Sequence, residues 1–199
     1  VLASPLTSAE QVKGLRDLGL TVFVLPNPLK LEDMYENLMT VALLTAKTTQ
    51  TETLIAQLKQ RVEDVEEKIA VVEQQPLVFY EIDGTDPNAP WTAGPSTFID
   101  HLISRSGGTN FGSTLQGEWV QVSLEEILRR DPDMILLGDA IWGGVTVESV
   151  IARPGWANLS AVKNQQVYPF DDNIVSRPGP RLVDGLEALA KLFHPELFQ

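Results

Sequence analysis

The chain contains no cysteine, only two histidines and few positive charges, and each shortage removes a class of chemistry. Without cysteine there are no disulfides, no thiolate metal sites and no cysteine nucleophile, whatever the compartment. The histidines, His101 in a helical stretch and His194 near the C-terminus, form no H-x-x-E or H-E-x-x-H pattern, so no zinc or manganese ligand set is visible. With 15 Lys+Arg against 27 Asp+Glu the net charge is −12, which repels a phosphate backbone and makes nucleic acid an unfavourable partner. No apolar run approaches the ~18 residues of a membrane span. Walker loops, G-x-G-x-x-G fingerprints and G-x-S-x-G elbows are also missing, so catalysis has no visible machinery.

What is present is an α/β pattern over 199 residues with an ordinary 43% hydrophobic content. Val1 to Ser4 reads as the end of a buried strand with no earlier strand to pair with, and the expectation is a truncated or processed chain. A helix follows from its Ser8 cap to Gly19, then a strand over Thr21–Leu25. Leu31–Ala46 predicts a second helix. Leu77–Ile82, Trp119–Val122, Met134–Leu137 and Gln166–Phe170 predict strands, alternating with helices near Ser96–Ser106, Ser123–Arg130, Val147–Ala152 and Pro180–Phe193. Ser123 and Glu126 form an S-x-x-E capping box.

The longest stripe organises the rest. Leu54 or Ile55, Leu58, Val62, Val65, Ile69 and Val72 recur at spacings of three and four, predicting one amphipathic helix over Thr48–Glu73, roughly 40 Å long at about 1.5 Å per residue. Its heptad-like stripe also suits a coiled-coil arm or an interaction scaffold. Strand-like segments on both sides favour a spine between α/β units. The predicted organisation is therefore α/β: a partial N-terminal lobe over 1–46, a spine over 47–75 and a C-terminal lobe over 76–199, two lobes with central parallel sheets joined by one long rigid helix.

In open parallel sheets, ligands sit beyond the carboxyl ends of the strands. The loops there are Glu81–Gly94, Asp139–Val145 and Phe170–Gly179, and they carry Trp91, Trp142 and Arg177, with Trp119 opening a neighbouring extended piece. Flat indoles in Gly- and Pro-rich contexts suit a platform for a bulky ligand. Trp156, in ARPGWANL, reads as structural. The acids Glu81, Asp83 and Asp86 lack a calcium-loop frame and read as a solvated loop. Asp171-Asp172-Asn173 suits either a turn or a cleft wall.

Four passages, VLASPLTSAEQVKGLRDLGLTVFVL, the spine preceded by LLTAKTTQTETL, VSLEEILRRDPDMILLGD, and RPGWANLSAVKNQQVYPFD with SRPGPRLVDGLEALAKLF, resemble the solute-binding proteins of ABC importers for cobalamin, haem and iron(III)-siderophores. The resemblance implies two α/β lobes, no enzymatic activity, no covalent cofactor, an extracytoplasmic location, free in the periplasm or lipid-anchored at the cell surface, and an ABC permease as partner. Cobalamin or a ferric siderophore would be the bound ligand, held in an interlobe cleft. It also implies ligand contacts at Trp91, Trp119, Arg177 and Asp172 or Asn173, and permease docking by Glu125, with Glu126 beside it. The family's opening segment, with its first docking glutamate, does not occur in this chain, and Ala46 stands where a glycine is common, compatible with a continuous helix. Alternatives are a bare-metal or haem binder of the same fold and a chelatase-like enzyme using His101.

Overall fold

The computed structural model describes residues 1–199, which divide into two compact units, Val1–Ala56 and Gln57–Gln199. In the first, β1 (Leu2–Ala3) and β2 (Phe23–Val24) pair in parallel around α1 (Ala9–Asp17), the expected β-α-β order. Ser8 caps α1 as a complete capping box, its hydroxyl accepting from the Gln11 amide while the Gln11 side chain accepts from the Ser8 amide. Helix α2 (Leu31–Thr45) buries Leu31, Met34, Tyr35 and Ala42 on one face.

Ala46 overturns one expectation. It does not continue the helix: with φ 54° and ψ 40° it adopts the left-handed conformation and ends α2, and α3 (Thr48–Ile69) begins two residues later. Alanine has the highest helix propensity, so local preference pointed to continuity, but a residue in the left-handed conformation closes a helix C-terminus, and Ala46 does so here. A left-handed alanine carries a steric cost that glycine lacks. Ala46→Gly is therefore expected to stabilise the fold by about 0.5–1 kcal/mol, read as a higher urea midpoint.

In the second unit α3 buries Leu58, Val62 and Val65, three consecutive positions of the stripe. Ion pairs tie its outer flank to neighbouring helices. Arg61 donates to Glu187 at 2.8 Å and Asp184 at 2.7 Å on α8 (Leu182–Phe193), and Glu66 accepts from Arg105 of α4 (Phe98–Arg105). The helix stops at Ile69, short of the predicted Glu73, where the β-branched pair Val71-Val72 weakens helix propensity before the chain turns into the sheet.

That sheet has six strands: β3 (Leu77–Asp83), β4 (Trp91–Ala93), β5 (Thr109–Asn110), β6 (Trp119–Gln121), β7 (Met134–Leu137) and β8 (Val167–Pro169). Its order is β6-β4-β3-β7-β8, with β5 also paired to β3. The β5, β3, β7 and β8 strands are parallel, as the continuous apolar runs predicted. The other edge departs from expectation. Trp91–Ala93, read as loop, is a strand antiparallel to β3, and β6 is antiparallel to it in turn. The segment is three residues between Pro90 and Gly94, too short to show alternation.

Side chains alternate across the sheet, so Phe79, Ile135, Leu137 and Val167 share one core with Phe111, Ile127 of α5 (Leu124–Arg130), Val150 of α6 (Val147–Ile151), Trp156 and Ala161 of α7 (Ser160–Lys163). Phe79 meets Phe111 edge-to-face at 5.2 Å and Trp156 at 6.4 Å. Trp156 is completely buried, as its structural reading expected. No helix is long and apolar enough to cross a membrane.

Candidate functional site

Antiparallel pairing of β4 with β6 aligns Trp91 with Gln121 and Ala93 with Trp119. Residues two apart on a strand share a face, so Trp91 and Trp119 lie on the same side of this edge as diagonal neighbours. Both are exposed, by 38% and 53%. With Ile82 and Asp83 at the carboxyl end of β3 they line an open hollow of about 220 Å³. Two indoles and an isoleucine supply flat apolar surface, and Asp83 supplies one acceptor. Asp83 also accepts from the Thr85 side chain and backbone, which hold its carboxyl below the usual range, so it stays ionised at the rim.

The segment joining β3 to β4 is fastened from beneath. Glu81 lies in the strand predicted over Leu77–Ile82, but the solvated reading it shared with Asp83 and Asp86 fails, for it is fully buried. It accepts two hydrogen bonds from Arg153, at 2.5 and 2.8 Å, in a bidentate pair. Arg153 in turn lies over the Trp156 ring at 4.6 Å, and the Trp156 indole donates to the Pro87 carbonyl at 3.1 Å. The Gly84 amide donates to Asp139 at 2.8 Å. The other carboxyl oxygen of Asp139 is buried without a hydrogen-bond partner.

Burial pushes the Asp139 carboxyl above its ordinary pKa, against the lowering effect of the Gly84 amide. The folded state therefore holds a proton that the unfolded chain releases, and Asp139 adds stability as pH falls through the raised folded value toward the ordinary one. Asp139→Asn removes this titration while keeping an acceptor for Gly84. Urea midpoints between roughly pH 4 and 7 are expected to show wild type gaining on the variant toward the acid end.

A second polar group lies at the end of β8. Tyr80, fully buried in β3, donates to Asp172 at 2.9 Å, and Ser176 donates to the other Asp172 oxygen at 2.5 Å. Burial first, and the Asp172 charge next, raise the Tyr80 pKa well above its ordinary value, so its hydroxyl stays a donor. Asn173 donates to Asp171 at 2.8 Å and accepts from the exposed Arg177 at 2.7 Å. Asp172 is thus committed to Tyr80 and Ser176, while Asn173 joins Asp171 to Arg177 in an adjacent set of bonds.

The structure brings Trp91 and Trp119 together and groups Asp172, Asn173 and Arg177. Trp142 stands in the turn after β7, 61% exposed, and is not among the residues lining the hollow. Glu125 is exposed on the first turn of α5. Glu126 is bound by Arg129 at 2.5 and 2.9 Å, and this pairing holds its carboxyl below the usual range. The predicted capping box is half formed: Ser123 accepts from the Glu126 amide, while the Glu126 side chain turns to Arg129. The Glu81–Arg153 and Tyr80–Asp172 pairs were not legible in the sequence. Their one local signal is a charged and a phenolic residue inside the apolar strand LVFYEID.

A mixed α/β sheet with exposed aromatics at the carboxyl end of its central strand has the organisation of a ligand-binding unit. The chain belongs to the periplasmic binding protein family, whose description, "Periplasmic binding protein", matches residues 13–174. It is 30% identical over 194 residues to the uncharacterized ABC transporter substrate-binding lipoprotein YvrC of Bacillus subtilis, covering 96% of this chain and 60% of the relative. It is 28% identical over 204 residues to a cobalamin-binding protein of Halobacterium salinarum, covering 98% of this chain and 53% of the relative. The chain thus spans between half and two thirds of the length of these relatives. Among solved structures, the periplasmic haem-binding protein RhuT of Roseiflexus superposes with a TM-score of 0.88 at 22% identity, over 99% of this chain and 76% of that one, a likeness of fold.

Proposed function

We propose that this chain is part of an extracytoplasmic solute-binding protein of an ABC importer, which takes up cobalamin or an iron(III)-siderophore and delivers it to the permease. The observation that carries the reading is the pair Trp91 and Trp119, exposed on one face beside the Ile82–Asp83 end of the central strand. A corrin ring or the shell of a ferric chelate presents flat apolar faces between its polar groups, and indole faces bury such surface at about 25 cal/mol per Å². Similarity to a cobalamin-binding relative supports the corrinoid as first choice. Haem, also a flat macrocycle, is the second, supported by the same indole pair.

In this reading Arg177, oriented by Asn173, meets amide carbonyls or chelate carboxylates, and Asp172, held by Tyr80 and Ser176, fixes the start of the same turn. Trp142 adds a peripheral contact. Glu125 and Glu126 face the permease, and Arg129 neutralises Glu126, which leaves Glu125 as the stronger charge. The chain acts by binding and release, with no bond made or broken. The division into 1–46, 47–75 and 76–199 remains part of the proposal. Calorimetric titration of the full-length gene product with cyanocobalamin, haem and a ferric hydroxamate tests it. Saturable binding of one of them is expected, and no binding of any would refute the reading.

A further inference from the structure

Between the end of β3 at Asp83 and the start of β4 at Trp91 the chain forms no helix or strand, and this segment leads directly into Trp91. Asp139 holds the Gly84 amide, and several of the segment's other anchors meet at one side chain. Arg153 holds Glu81 through both carboxylate oxygens and stacks on Trp156, which holds Pro87 through its indole N–H. Gly84 packs so closely on this pair that a β-carbon would run into the Glu81 carboxyl and the Arg153 guanidinium. Beyond Pro87, the Asn88 and Pro90 carbonyls accept from the Leu124 and Val122 amides, at 2.8 and 2.9 Å. Residues 81–87 are thus organised largely around a guanidinium that is itself almost buried and lines no part of the hollow.

We infer that Arg153 is a positioning residue for the aromatic seat: through Glu81 and Trp156 it fixes the 82–90 segment and thereby the place and mobility of Trp91. The inference rests on the proposed function for its ligand but not for its geometry. A planar guanidinium suits the task, because a bidentate pair fixes both distance and orientation, which a lysine ammonium does not. Residues that hold binding groups in place set affinity without touching the ligand.

The test uses the full-length gene product labelled with 5-fluorotryptophan, the resonances of the four tryptophans of this chain assigned by single Trp→Phe variants. Two variants are compared with wild type. Arg153→Lys keeps the charge and loses the fork, and the double variant Glu81→Met with Arg153→Met removes the pair without leaving an orphaned charge, so that it folds. In the absence of ligand the Trp91 resonance is expected to shift and broaden in both variants. The Kd for cyanocobalamin is expected to rise roughly tenfold, the change lying in the dissociation rate. An unchanged Trp91 resonance in both variants overturns the inference, and so does a shifted resonance with an unchanged Kd. If wild type binds no cyanocobalamin, haem or ferric hydroxamate, the proposed function fails, while the ligand-free resonance still decides whether Arg153 places Trp91.

Discussion

Arg153→Ala is expected to lower stability by about 3–5 kcal/mol, because it strands Glu81 in a fully buried site without its counter-ion. The size reflects desolvation more than attraction. A carboxylate that has lost its water and two charge-assisted hydrogen bonds has no substitute partner, whereas removing both charges together costs far less. Already in the native protein burial pushes the Glu81 carboxyl upward, and Arg153 opposes that push. Without Arg153 the acid is held as the protonated form, its folded pKa well above the unfolded one. Stability of the variant then falls as pH rises through that folded value, so its deficit against wild type widens from acid toward neutral pH. Urea unfolding at two pH values measures both the loss and its slope, and an equal loss at both would show that Glu81 had found another partner.

Trp156→Ala is expected to cost a similar amount, about 3–5 kcal/mol, for a different reason. Trp156 is the largest side chain with no exposure, and its removal leaves a cavity between Phe79, Leu159 and the Arg153 guanidinium, which cannot collapse without moving the sheet. It also deletes the hydrogen bond to Pro87. Trp156→Phe retains most of the volume, loses the indole N–H, and is expected to cost about 1–2 kcal/mol. Trp142→Ala, which removes an exposed ring, is expected to stay within about 0.5 kcal/mol. Three tryptophan variants ranked in this order by urea midpoint would separate a core indole from a surface one.

These two positions mark what the sequence could and could not disclose. Trp156 was readable as structural because its turn, RPGW, is a local signal, and the strands β3 and β7 were readable because parallel strands buried on both faces are continuous apolar runs. Ser8 and Ser123 announced their helices through local capping chemistry. The Glu81–Arg153 pair was not readable, since 72 residues separate its members and nothing local matches a strand acid to a distant arginine. Ala46 misled for the opposite reason. Its own propensity is helical, whereas in the fold it takes the left-handed conformation that ends α2. The exposed indoles at 91 and 119 were identifiable individually, but their sharing of one face depends on the β4–β6 register, which only the fold supplies.

The central claim is that Trp91 and Trp119 together form the ligand seat. Fluorescence titration of the full-length gene product with cyanocobalamin, corrected for absorption by the ligand, measures it most directly when wild type, Trp91→Ala, Trp119→Ala and Trp142→Ala are run side by side. The account predicts saturable quenching in wild type, a Kd raised roughly tenfold or more in Trp91→Ala and Trp119→Ala, and a smaller rise in Trp142→Ala. Wild-type affinity in both Trp91→Ala and Trp119→Ala would contradict it.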